Sequence, residues 1–172
     1  MPLKKSTSML NNDSRAVRQQ YGALPYRLTE AGTVEILLVT SRGTGRWVIP
    51  KGWPIKKLTP SKSAAREAYE EAGVRGKTAG RSIGTFRYEK RLDDDVAASL
   101  CEVKVFPLLV KRQHKRWPEM DQREQRWFPA AAAASVVAEN ELQELIERFA
   151  TKIAARIAED PLAGDQEQTA SS

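Results

Sequence analysis

The stretch Gly52-Trp-Pro-Ile-Lys-Lys-Leu-Thr-Pro-Ser-Lys-Ser-Ala-Ala-Arg-Glu-Ala-Tyr-Glu-Glu-Ala-Gly-Val74 decides how the rest of the chain is read. Thr59 followed by Pro60 is a helix start, with threonine as N-cap and proline at the first helical position. The helix runs to Ala72 and stops at Gly73. At about 100° per residue, Ala64, Ala65, Ala68, Tyr69 and Ala72 share one face. Glu67 and Glu71 stand one turn apart with Glu70 beside them, in an arc opposite that face. Three carboxylates this close repel one another. They also fall toward the C-terminal half, where the helix dipole disfavours negative charge. A cation would relieve both penalties, and an all-oxygen ligand set suits Mg2+ or Mn2+ better than Zn2+. Taken alone, the helix is read slightly better as a solvated acidic face held by Arg66 and the surrounding lysines.

The charge around this helix is segregated. From Ile36 to Arg66 there is no acidic residue, but seven bases: Arg42, Arg46, Lys51, Lys56, Lys57, Lys62 and Arg66. The carboxylates follow immediately. The whole chain carries +6, from 28 Lys and Arg against 22 Asp and Glu, which points to a polyanionic partner. At 172 residues, 41% hydrophobic and 29% charged, it has the composition of one globular domain. That excludes collagen-like, wholly disordered and disulfide-scaffold classes. Cys101 is the single cysteine, so no internal disulfide forms, which fits a reducing compartment. No apolar run approaches the ~20 residues that span a bilayer, so no membrane partner is expected. Lys4 and Lys5 are followed by no apolar signal core. The cytoplasm is the expected compartment.

Further out, residues 1–16 read as a flexible arm, 17–158 as one folded unit and 159–172 as a disordered tail. Tyr21–Leu28 reads as a strand despite Pro25. Val34–Thr40 is a continuous apolar run, expected to be buried on both faces. Arg46–Ile49 is a short strand, and Ile83–Arg91 with Ala97–Val110 is a hairpin turned at Asp93–Asp95. Gln125–Phe128 is a further strand, and the alanine run Ala130–Ala134 starts a helix after Pro129. Leu142, Leu145, Ile146, Phe149, Ile153 and Ile157 fall on one stripe of a closing helix. Strands interleaved with helices give an α/β or α+β sandwich.

Residues 52–74 resemble the Nudix box, whose pattern is G-x5-E-x7-R-E-U-x-E-E-x-G-U, with U a bulky apolar residue. Gly52, Arg66, Glu67, Glu70, Glu71, Gly73 and Val74 are in register. Leu58 stands where the pattern has its first glutamate, and Ala68 is a small occupant of the first U. Ile36-Leu-Leu-Val-Thr-Ser-Arg42 and Arg46-Trp-Val-Ile-Pro-Lys-Gly-Trp53 are similar to the strands leading into the box in diphosphoinositol polyphosphate phosphohydrolases and diadenosine polyphosphate hydrolases. Glu124-Gln-Arg-Trp-Phe128 resembles the strand before their final helices. The resemblance covers roughly residues 18 to 157. It implies the Nudix α/β/α sandwich with a mixed central sheet, and a Mg2+-dependent (or Mn2+-dependent) hydrolase of phosphoric anhydride bonds.

By that resemblance Glu67 and Glu71 are metal ligands, with the Gly52 carbonyl. Glu70 is a further ligand or helps to activate water, and Arg66 orients the carboxylates. Arg18, Arg42, Lys51, Trp53, Lys56 and Lys57 are the candidate substrate contacts, with Trp53 read as a stacking ring or as a hydrophobic lid. Lys111, Arg112, His114, Lys115 and Arg116 are read as a loop near the pocket, and Glu119, Asp121 and Glu124 as candidates for an extra metal-site carboxylate. The expected partner is a highly phosphorylated small molecule, a diphosphoinositol polyphosphate or a dinucleoside polyphosphate, with no nucleic acid polymer. A nucleoside diphosphate derivative such as ADP-ribose and a Nudix-fold binding protein with reduced turnover are the alternatives. Homodimers are common among Nudix relatives, so a homodimer is also a candidate.

Overall fold

The apolar run Val34–Thr40 folds as strand β2, and its residues face two separate cores in alternation. Ile36 and Leu38 enter one core and Leu37 and Val39 the other, so both faces are buried as the unbroken run predicts. The computed structural model describes residues 16–90 and 99–160. Within them eight strands form one mixed sheet. Besides β2 these are β1 (Arg18–Leu28), β3 (Trp47–Val48), β4 (Lys51–Gly52), β5 (Val74–Thr78), β6 (Gly84–Lys90), β7 (Ser99–Gln113) and β8 (Gln125–Pro129). The order is β3-β2-β1-β7-β5, with β4 paired to β1, β6 to β7 and β8 to β2. β1 and β7 run parallel from Arg18–Cys101 to Tyr26–Leu109, and the other pairings are antiparallel.

Helix α1 (Pro60–Ala72) covers one face of the sheet. Its small residues Ala64, Ala68 and Ala72 let the helix approach Ala23, Leu37, Phe106 and Leu108 closely. Helices α2 (Ala130–Val136) and α3 (Asn140–Glu159) cover the other face. There Leu142, Leu145, Ile146, Phe149 and Ile153 of α3 form the buried stripe read from the sequence. The result is a three-layer α/β/α sandwich. Buried Cys101 sits inside β7 as a free thiol.

The ends of α1 follow the sequence reading. Thr59 Oγ1 accepts from the Lys62 amide at 3.4 Å, and Pro60 is the first helical residue. Gly73 closes the helix in the left-handed region at φ 67°, its amide donating to the Ala68 and Tyr69 carbonyls. Two details differ. Ala65 and Tyr69 lie at the edge of the packed face, and Glu71, placed opposite it by the sequence reading, is buried. β7 also runs on to Gln113, so Lys111 and Arg112 belong to a strand rather than a loop. His114 donates its amide to the Gly73 carbonyl, and its ring packs edge-on against Tyr69 at the C-terminal end of α1. The Asp93–Asp95 turn, residues 1–15 of the arm and residues 161–172 of the tail lie outside the described residues.

Candidate functional site

β4 is only two residues long, but it places the site. Lys51 and Gly52 pair with Gly22 and Tyr21 of β1, which lays the Gly52 backbone over α1. The Glu67 carboxylate fills the space where a Cβ on Gly52 would stand, so a larger residue there would have to displace that side-chain end. Around this contact opens a cleft of about 1230 Å³. It brings together Arg42, Lys51, Gly52, Trp53, Lys56, Arg66, Glu67, Glu70 and Glu71, nine of the eleven residues expected there. Lys57 and Arg18 are not among its lining residues. Lys57 is exposed, in the left-handed region at φ 70°. Arg18 reaches the cleft indirectly, over the Trp53 ring at 4.2 Å.

The carboxylates are crowded and partly desolvated. Burial pushes Glu67 up to about 7, and neighbouring Glu70 and Glu119 push the same way. Burial also pushes Glu71 up to about 7, opposed by Arg123 and Lys51. Glu70 is held by Arg66 at 3.0 Å, one turn back along the helix. Burial pulls the Lys51 ammonium below its usual range, with Glu71 resisting. Its Nζ lies 4.7 Å from the centre of the Tyr88 ring, and the Tyr88 hydroxyl donates to buried Gln20 at 2.6 Å.

Two residues complete the cluster from outside the helix. Glu119 lines the cleft, whereas Asp121 and Glu124 are exposed and do not, so the loop offers one carboxylate of the three considered. Its amide donates to the Glu70 carbonyl at 3.0 Å, which ties the loop to α1. Arg123, which the sequence reading missed, is largely buried. It donates to Glu71 Oε1 at 3.3 Å, to Glu119 Oε1 at 3.3 Å and to the Thr40 carbonyl at 3.0 Å. Removing one partner from a pair this buried costs about 3–5 kcal/mol. The available signal was a single arginine in an otherwise acidic segment, four residues after Glu119.

The donor set is all oxygen: Glu67, Glu70, Glu71, Glu119 and the Gly52 carbonyl. Its chemistry fits a hard divalent ion, whose charge would relieve the repulsion that raises Glu67 and Glu71. Among the described residues, no three acidic, histidine or cysteine side chains converge as a finished ligand shell. Both Glu71 oxygens already accept protein donors, Arg123 on one and the Lys51 amide at 3.4 Å on the other.

Trp53 is not a free stacking ring. Arg18 and the Lys90 ammonium both lie over it, the latter at 4.9 Å, which makes this wall cationic. Lys90 and Arg46 line the cleft and were not singled out as contacts from the sequence. Leu58, at the departure from the glutamate pattern, is exposed on the rim. The cluster Lys111 to Arg116 does not line the cleft, so it is no part of this pocket.

A family model described as the NUDIX domain matches residues 20–149. The chain belongs to the Nudix family. It is similar to Nudix hydrolase 12, mitochondrial, of Arabidopsis thaliana, at 30% identity over 164 residues, covering 83% of this chain and 81% of that protein. Over 58 residues it is 47% identical to diphosphoinositol polyphosphate phosphohydrolase 2 of Rattus norvegicus, covering 33% of this chain and 32% of that one. Among solved structures, the Ap4A hydrolase of C. elegans in a binary complex superposes with a TM-score of 0.59 at 19% identity. That match covers 80% of this chain and 98% of the other, and it shows a shared fold. The protein is thus a Nudix hydrolase, acting on pyrophosphate bonds, and Nudix hydrolases generally need a divalent metal. Among the described residues no helix is long and apolar enough to cross a membrane.

Proposed function

We propose that this Nudix hydrolase is Mg2+-dependent and cleaves a diphosphate linkage in a highly phosphorylated small molecule, a diphosphoinositol polyphosphate or a dinucleoside polyphosphate. The observation that carries this reading is the lining of the cleft: Arg42, Arg46, Lys51, Lys56 and Lys90 surround the same space as the carboxylate cluster. Arg42 and Arg46 are held by Glu119 and Glu139 at 3.8 and 3.4 Å, and Lys51, Lys56 and Lys90 bring further positive charge to a phosphate chain. The paired cations over Trp53 favour an anionic group there over a stacked base.

In this reading Glu67, Glu71 and the Gly52 carbonyl would hold the metal, with Glu119 as the loop carboxylate. The ion would polarise a bridging phosphate and lower the pKa of the attacking water. Glu70, oriented by Arg66, accepts the proton of that water. Lys51 reaches the reacting phosphate, since it lies beside Gly52 and next to the carboxylates. Arg42 and Lys56 neutralise phosphates further along the substrate. Cys101, a buried thiol, fits a reducing compartment such as the cytoplasm.

A second reading is a nucleoside diphosphate derivative such as ADP-ribose, favoured by the apolar side chains of Ile55 and Leu58 on the cleft wall. A third is a binding protein with reduced turnover, motivated by Leu58 itself. Phosphate release from a panel of inositol pyrophosphates, dinucleoside polyphosphates and ADP-ribose, with and without Mg2+, separates the three. Faster turnover of ADP-ribose than of every polyphosphate would overturn the proposal.

A further inference from the structure

Among the described residues, Arg123 is the one largely buried cation that donates to two carboxylates of the cluster. One guanidinium nitrogen donates to Glu71 Oε1 at 3.3 Å, a second to Glu119 Oε1 at 3.3 Å, and the third to the Thr40 carbonyl at 3.0 Å. Its side chain is 10% exposed, against 7% for Glu71 and 18% for Glu119. Around it the segment is pinned on two sides. The Glu119 amide bonds the Glu70 carbonyl, and Thr40 and Glu124 exchange bonds at 3.0 and 2.9 Å. The Thr40 bond therefore fixes the guanidinium where Glu71 and Glu119 meet.

We propose that Arg123 is a built-in counter-cation that competes with the divalent metal for Glu71 and Glu119. A guanidinium and a dication drawn to the same two carboxylates repel each other, and at this depth that repulsion is poorly screened. The Glu71 carboxylate has one oxygen on Arg123 and the other near the Lys51 amide, so its charge is already partly compensated from within the protein. Glu119 shares the same arginine. By the same repulsion a bound dication would weaken the hold of Arg123 on two carboxylates at once, while the Thr40 carbonyl keeps the guanidinium in place. Arg123 is a positioning residue: it sets metal affinity by opposing the ion. This rests on the metal assignment of the proposed function.

The test is Mn2+ binding by the full chain without substrate, read as free Mn2+ by electron paramagnetic resonance, in the wild type, Arg123→Gln, Arg123→Lys and Glu71→Gln. Removing the competing charge should tighten Mn2+ binding roughly tenfold in Arg123→Gln. Arg123→Lys keeps the charge but cannot bridge two carboxylates, and should fall between Arg123→Gln and the wild type. A purely structural arginine would give the opposite sign, since loss of support weakens a ligand set. Equal or weaker Mn2+ binding in both Arg123 variants, with Glu71→Gln still defective, overturns the role of Arg123 alone. If Glu71→Gln binds Mn2+ like the wild type, the metal assignment itself fails. Arg123→Lys preserves charge and length, so it keeps the test decisive should Arg123→Gln fold poorly.

Discussion

The carboxylate of Glu67 occupies the position where a side chain on Gly52 would begin. Gly52 carries no positive φ, so what a larger residue would meet there is this close approach and not backbone strain. Gly52→Ala should push the Glu67 carboxylate aside while leaving the two cores untouched. A displacement of about 1 Å at a reacting centre costs on the order of 100-fold in rate. Mg2+-dependent turnover should fall by that much with little change in melting temperature. Gly80→Ala, where an added Cβ meets nothing within 4 Å, is the control. Near-normal turnover in Gly52→Ala would show that the contact is not part of the working site.

Glu67 and Glu71 are both held up to about 7 from a usual 4.5, with burial as the leading cause. Because their folded pKa values lie above the unfolded ones, the folded protein binds the extra protons between about pH 4.5 and 7. These two groups therefore favour folding most below that window, and their contribution declines as pH rises through about 7. In EDTA the wild type should lose stability relative to Glu71→Gln as pH rises across the window. Added Mg2+ should reverse the loss at the alkaline end, since the ion competes with protons for the same oxygens. Parallel melting curves for the two proteins from pH 5 to 8 would contradict the burial argument.

Leu58 is 39% exposed on the cleft rim, so replacing it removes no core packing. The carboxylates of α1 and Glu119 are assembled without any help from position 58. Leu58→Glu should leave the melting temperature unchanged and turnover within about threefold of wild type, a margin below 1 kcal/mol. A wild type with no measurable turnover on any diphosphate, rescued by Leu58→Glu, would favour the binding-protein reading instead.

Much of this site is legible in residues 52–74, because a helix has a fixed period and its caps are chemically explicit. Thr59, Pro60 and Gly73 bound α1, and its three glutamates must fall on neighbouring positions. The burial of Glu71 is not legible in the same way: it depends on how tightly three alanines let the helix approach the sheet. Arg123 escaped for a different reason. It comes to Glu71 across 52 residues of chain, through pairing of β8 with β2 and through loop contacts that carry no local periodicity. The apparent loop cluster from Lys111 misled because a strand end and a loop share the same basic composition. Trp53 was readable as aromatic, but its engagement with Arg18 and Lys90 depends on three distant segments meeting.

Lys57 is the described non-glycine residue with positive φ, and it does not line the cleft. The left-handed region costs an L-residue about 1–2 kcal/mol, part of which glycine returns through its freer unfolded chain. Lys57→Gly should stabilise the protein by up to about 1 kcal/mol, read by denaturant unfolding, with KM and kcat unchanged. A raised KM would place Lys57 back among the substrate contacts.

Lys56 and Lys57 are neighbours in sequence, but only Lys56 lines the cleft, and this separates two explanations of the basic stretch. If Arg42, Lys51 and Lys56 cradle a phosphate chain, they act by Coulomb attraction and oriented hydrogen bonds. Such attraction is screened over a Debye length of about 8 Å at physiological salt. Raising salt should then weaken binding of a dinucleoside pentaphosphate or an inositol pyrophosphate more than that of ADP-ribose. Lys56→Ala should raise KM and leave kcat nearly unchanged, because a contact made equally in ground and transition states is uniform binding. Lys57→Ala should be silent. Lys51→Ala should lower kcat as well, since Lys51 adjoins the carboxylates and reaches the phosphate under attack in the proposed mechanism. Steady-state kinetics of the three variants at two salt concentrations decide the matter. Equal salt sensitivity for both substrate types, with Lys56→Ala as silent as Lys57→Ala, would make the stretch an ordinary solvated surface and remove the main support for a polyphosphate substrate.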